Sequence, residues 1–207
     1  MRSVTVRIML VCLVVFVLQM LPGIGPQIQQ WCILVPSKVF VHGEAWRLMT
    51  FVFMHGGILH IIFNMLTLWY FGSAMESHWG SLKYLWFYMV CGVGSGLLCF
   101  PLWNLPILGA SGAIMGLLTA YAWYFPRRTI VVWFFPLPAW LAVTMMGLIS
   151  LALSGGTAGG IAHVAHLGGI IVALGWLLYE RYVPWNLFKS GRTAANRYEL
   201  IRKVKWQ

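Results

Sequence analysis

Aspartate does not occur in this chain, and its only acids are Glu44, Glu76, Glu180 and Glu199. That absence excludes a Ser-His-Asp triad and a pair of catalytic aspartates. It also argues against an ion-coupled transporter, which places carboxylates within the membrane. Charge of either sign is scarce: 9% of the 207 residues are charged, 60% are hydrophobic, and mean hydropathy is +0.80. A soluble domain carries about 25% charged residues, so the balance predicts an all-α polytopic membrane protein. Cysteine is sparse as well. Cys12, Cys91 and Cys99 fall in apolar stretches and Cys32 in a connection, a pattern that does not build a disulfide framework. No HExxH occurs, and the histidines lack a neighbouring carboxylate base; neither a metal nor a cofactor is expected. The formal charge of +10 would suit nucleic acid. The basic residues, however, sit at the ends of apolar segments, where topology is the simpler cause, and no nucleic-acid partner is expected.

What is present is a series of six apolar segments, each near the ~20 residues that cross a bilayer or somewhat shorter. They run Ile8 to Leu21, Leu59 to Met75, Leu82 to Phe100, Gly112 to Phe125, Pro136 to Leu153 and Gly160 to Tyr182. Arg2 and Arg7 ahead of the first give it the look of a signal peptide, but no small-x-small cleavage site precedes Pro22. It reads as a retained span. With six spans, twelve lysines and arginines fall on one side and two, Lys38 and Arg47, on the other, which puts both termini in the cytoplasm. Residues 1–183 form one membrane domain, and 184–207 a basic cytoplasmic tail against the lipid. The long connection from Pro22 to Ile58 carries Trp31, Phe40, Trp46, Phe51 and Phe53 and is expected to lie at the membrane interface. Trp69, Trp79, Trp123 and Trp185 read as aromatic-belt anchors.

This topology brings three groups of polar residues to one depth. Gly109-Ala110-Ser111-Gly112 is a small-residue turn opening the fourth segment, so Ser111 sits at a helix N-terminus, where free N–H groups favour an oxyanion. His60 and Asn64, four apart, share a face of the second segment. His163 and His166 lie in the first turns of the sixth. Gly112, Gly116 and Ala120 form a small-xxx-small row beside Ser111, and Ala165, Gly169 and Ala173 another beside His166; such rows let helices approach closely in lipid. A Ser–His pair performs acyl transfer, with the Ser111 N–H, the Asn64 amide and the His60 ring as oxyanion donors. The plainer readings beside it are Ser111 as a helix cap and the other polar residues as hydrogen-bond partners of neighbouring helices; a zinc site of His60, His163 and His166 is the competing chemistry, disfavoured for want of HExxH and a carboxylate base.

An ordered set of motifs is similar to the rhomboid family of intramembrane serine proteases over Gly43 to Tyr182. The pieces are Gly43-Glu44-Ala45-Trp46-Arg47, His55-Gly56-Gly57-Ile58-Leu59-His60-Ile61-Ile62-Phe63-Asn64, Gly72-Ser73-Ala74-Met75-Glu76, Gly109-Ala110-Ser111-Gly112 and Ala165-His166-Leu167-Gly168-Gly169. The resemblance implies a six-helix rhomboid-like bundle with Ser111 as nucleophile, His166 as general base, and His60 and Asn64 lining the oxyanion site. Arg47 and Glu76, with Gly109, Gly112 and Gly169, would be structural. The implied substrates are membrane-anchored proteins cut within or beside an easily unwound transmembrane helix. Of a bacterial plasma membrane and an organellar one, the short form of the chain favours the former. Trp133-Phe134-Phe135-Pro136-Leu137-Pro138 would match the segment before a gating fifth helix. Met115 stands where an aromatic residue is common, Ala173 where a glycine is expected, and His163 has no counterpart role. The alternative from another class is a non-catalytic binder of membrane-protein helices built on the same fold.

Overall fold

Glycine decides where the helices of this protein come closest. The computed structural model describes residues 3–102, 104–132, 134–155 and 160–183. At its centre α7 (Ser81–Leu98), α8 (Ser111–Tyr124) and α10 (Gly160–Tyr182) pack on one another. A Cβ on Gly112 would lie 2.2 Å from Ser95 Oγ and 3.2 Å from the Ala165 carbonyl oxygen. One on Gly116 would lie 2.6 Å from Cys91 Sγ, and one on Gly168 2.9 Å from Ser95 Cα. The small-residue rows of the fourth and sixth segments thus meet, with α7 closing the third side. α8 is buried from Gly112 to Ala122, as expected of a helix apolar all round.

Around this core stand α1 (Val4–Met20), α9 (Ala139–Leu153), and α5 (Ile58–Thr67) running through a π-helical turn, Leu68–Gly72, into α6 (Ser73–Trp79). Large apolar side chains on α1 and α9, such as Leu10, Val14, Leu148 and Leu151, face outward, a surface suited to hydrocarbon rather than water. Each of the six apolar segments forms a helix. Among the described residues two, Ile58–Trp79 and Ala162–Tyr182, are long and apolar enough to cross a membrane by length and composition, and Val4–Met20 and Ala139–Leu153 are shorter apolar helices.

Glu76 explains how α1 is anchored. Its carboxylate accepts the N–H groups of Val4 (2.7 Å) and Thr5 (3.0 Å) and the hydroxyls of Thr5 (2.8 Å) and Ser81 (2.7 Å). An acid at a helix N-terminus satisfies otherwise orphaned donors and complements the dipole. At the same end of the bundle Lys83 forms an ion pair with Glu180, joining the start of α7 to the end of α10.

The structure changes several expectations. The connection after α1 is folded, with α2 (Ile24–Cys32), α3 (Pro36–His42) and α4 (Arg47–Thr50). Cys32 therefore ends a helix. Trp31, Phe40 and Trp46 are exposed as an interfacial segment requires, but Phe51 is buried, because the side chain missing at Gly96 leaves room for its ring. Trp79 packs inward on Phe87 and Tyr124 rather than anchoring a belt. The fifth segment does not begin as helix at Pro136. Thr129–Val132 (β1) and Phe135–Pro138 (β2) form an antiparallel hairpin, since a β-branched run followed by alternating prolines favours strand over helix. Trp133, Trp185 and the tail 184–207 lie outside the described residues.

Candidate active site

The site is assembled by the loop that precedes α8. Leu34 and Ile107 exchange backbone hydrogen bonds of 3.0 and 2.8 Å, and the Gly109 N–H donates to the Phe51 carbonyl at 2.9 Å. The first connection therefore holds the turn that presents Ser111. Arg47 holds that connection in turn. Buried to 1% exposure, it pairs with Glu44 and donates to the carbonyls of Ile33 and Gln30, the latter at 2.7 Å. A buried guanidinium bonded through each of its three nitrogens is a rigid brace.

Gly109 has φ +122, a conformation that favours glycine, and a side chain there would also be blocked. Its Cβ would lie 2.9 Å from His60 Cε1 and 3.0 Å from His60 Nε2, and the same point is 3.8 Å from Ser111 Oγ. The His60 ring edge and the Ser111 hydroxyl thus share the space that glycine leaves open. Ser111 is the first residue of α8 and Ala110 occupies the capping position, so the serine hydroxyl is not spent as a cap.

His60 Nδ1 accepts the Gly56 N–H at 3.3 Å. An accepting Nδ1 assigns the neutral ring's proton to Nε2, the nitrogen near Gly109. Behind His60 sits His55, ring centroids 5.2 Å apart at 64°. Burial, reinforced by His60, pushes the His55 imidazole down to about 4, so it is neutral. Its backbone exchanges hydrogen bonds of 3.1 and 3.2 Å with the Gln19 amide, tying the entry to α5 to the end of α1.

Ser111, His60, Asn64 and His166 all line one cavity of about 750 Å³, with Met115 beside them. They come from α8, α5 and α10. The Asn64 amide nitrogen is buried and has no hydrogen-bond partner among the described residues, an unusual condition for a buried donor. His163 is not among the lining residues. Its ring stands 5.8 Å from that of His166 at 88°, with Nδ1 buried and unpartnered among the described residues. Arg47 and Glu76 lie away from the cavity wall, and Gly112 and Gly169 lie where α8 and α10 touch.

The rest of the lining was not singled out from the sequence. It includes Phe63 and Thr67 of α5, Phe71 of the π-helical turn, Met146 of α9, and Ile130, Val131 and Val132 of the hairpin. The signal for the hairpin was present in Thr129-Ile130-Val131-Val132, but an apolar run does not by itself separate strand from helix.

Apolar helices bring serine, histidine and asparagine to one cavity, and among the described residues two of those helices are long and apolar enough to cross a membrane. Residues 42–181 match the rhomboid domain, and the chain belongs to the rhomboid family, whose members are integral membrane proteins. It is 31% identical to "Rhomboid protease GlpG" of Klebsiella pneumoniae, across 86% of this chain and 64% of that protein. It is 30% identical to "Rhomboid protein 1, mitochondrial" of Saccharomyces cerevisiae, across 79% and 50%. With "RHOMBOID-like protein 4" of Arabidopsis thaliana it shares 29% identity, across 82% and 44%. The chain spans about half the length of the curated relatives it matches.

Proposed function

We propose that this protein is an intramembrane serine endopeptidase that cleaves membrane-anchored proteins within or near their transmembrane helix. One observation carries the reading: Ser111, His166, His60 and Asn64, drawn from three helices, line a single cavity. Ser111 Oγ attacks the substrate carbonyl carbon as His166 takes the hydroxyl proton. The tetrahedral intermediate collapses, His166 returns the proton to the leaving amine, and an ester to Ser111 remains. Water, deprotonated by the same imidazole, hydrolyses that ester and regenerates the hydroxyl.

The charge that develops on the carbonyl oxygen is met by the Ser111 N–H, the His60 Nε2–H and the Asn64 amide. The unpartnered amide nitrogen and the Gly56 bond that orients His60 support these roles. Gly109 supports the turn, and Gly112 and Gly169 bring α8 and α10 together. Arg47 and Glu76 hold the first connection and α1. In this reading residues 1–183 cross a bacterial plasma membrane six times with both termini in the cytoplasm, and 184–207 follow as a basic tail. The test is cleavage of a single-span reporter by the purified full chain: wild type yields two fragments, and Ser111→Ala yields none. Equal cleavage by Ser111→Ala overturns the proposal.

A further inference from the structure

The hairpin offers the cavity an edge rather than a face. Successive side chains of a strand point to opposite faces, yet three consecutive residues, Ile130, Val131 and Val132, line the cavity. With Ile130 buried and Val131 70% exposed, their side chains lie on opposite faces, the arrangement of a strand that meets the cavity along its edge. No residue of β2 lines it, so the edge in question is the outer edge of β1.

The register shows which backbone groups that edge presents. Thr129 stands opposite Pro138, Ile130 opposite Leu137, Val131 opposite Pro136 and Val132 opposite Phe135. The Ala139 N–H donates to the Arg128 carbonyl at 2.9 Å, which makes that pair, and by alternation Ile130–Leu137 and Val132–Phe135, the hydrogen-bonded ones. Pro136 and Pro138 occupy the other pairs, where β2 needs no donor. The N–H and C=O of Thr129 and Val131 therefore point away from β2. Among the described residues no hydrogen bond to those outward groups is found, and Val131 is 70% exposed. The far edge of β2 is blunted by its two prolines, while the β1 edge is open.

An unwound substrate has the complementary need. Attack on a peptide carbonyl requires that the scissile segment leave its helix, and in an apolar cavity each freed N–H and C=O must find a partner. The cavity reaches from His60 of α5 to Phe71 of the π-helical turn, about 16 Å at ~1.5 Å per residue. That is room for roughly five residues of extended chain. We propose that the outer edge of β1, centred on Val131, receives the unwound stretch of the substrate on the hairpin side of the scissile bond as an added strand. This rests on the protease reading above. It adds a site that selects substrates by how readily they unwind, since main-chain pairing reads extension rather than side-chain identity.

The experiment compares the purified full-length wild type with Val131→Pro, which deletes one outward N–H and no bond of the hairpin ladder, and with Val131→Ala, which keeps that N–H. Two rates are measured on each: kcat/KM for a single-span reporter, and covalent labelling of Ser111 by a small fluorophosphonate. The ratio of cleavage to labelling falls about tenfold in Val131→Pro, the size expected for one lost hydrogen bond, and by much less in Val131→Ala. An unchanged ratio in Val131→Pro overturns the inference and leaves the protease reading standing. A wild type that neither cleaves nor labels overturns the protease reading instead. Should Val131→Pro fail to label at all, Val131→Cys is placed in the Ser111→Ala chain and tested for disulfide capture of reporters carrying one cysteine at successive positions. Capture at every other position is expected for a paired strand. Capture at every third or fourth position, or at none, contradicts it.

Discussion

A Cβ on Gly169 would lie 1.9 Å from the carbonyl oxygen of Gly112. The backbones of α8 and α10 are in contact there, three residues beyond His166 on one helix and one beyond Ser111 on the other. This is the contact that places the two side chains along the same cavity.

Gly169→Ala is therefore expected to cost at least 1–3 kcal/mol, because the clash is with backbone and no side chain can rotate away. Proteolysis should fall with it. Gly175, on the same helix, has nothing within 4 Å of its Cβ position, and Gly175→Ala should be neutral or slightly stabilising. Unfolding midpoints of the two variants in one detergent check the contrast. Equal midpoints would mean that the α8–α10 contact is looser than the structure has it.

Asn64→Ala separates catalysis from stability. The side chain is buried with an unpartnered amide nitrogen, so removing it relieves a desolvated donor and should leave the unfolding midpoint unchanged or higher. Turnover should drop by up to roughly 10²–10³, softened by the other donors. Steady-state kinetics beside thermal unfolding decide it. A lower midpoint with unchanged kcat would make Asn64 a structural residue.

Much of this arrangement was legible because it depends on residue size and period. The row Gly112, Gly116, Ala120 and the row Ala165, Gly169, Ala173 announced a close helix pair, and Gly160 to Tyr182 is helical over the bounds read from its hydropathy. What was not legible depends on contacts distant in sequence. Leu34 bridging Ile107 is such a contact, as are Phe51 filling the space at Gly96 and Glu76 reaching the first turn of α1. The hairpin is hidden in the sequence for a different reason. Thr129 to Pro138 is as apolar as the helix it precedes, and hydropathy carries no information on strand against helix in so short a run.

His163 and His166 are separated by their surroundings. His166 lines the cavity and His163 does not. His166→Ala should abolish reporter cleavage, whereas His163→Ala should retain a substantial fraction, within about tenfold of wild type, as fits a neighbour outside the chemistry. Initial rates of purified, equally folded variants measure this. The reverse order would transfer the base to His163.

Covalent labelling tests, without a substrate, whether Ser111 is a nucleophile activated by His166. The purified full chain is treated with a fluorophosphonate and the modified residue is located by peptide mass spectrometry. A single adduct is expected, on Ser111, whose rate of formation falls at least ~10²-fold in His166→Ala. An adduct that forms equally fast without His166, or a Ser111 left unmodified while the wild-type enzyme cleaves its reporter, would contradict it.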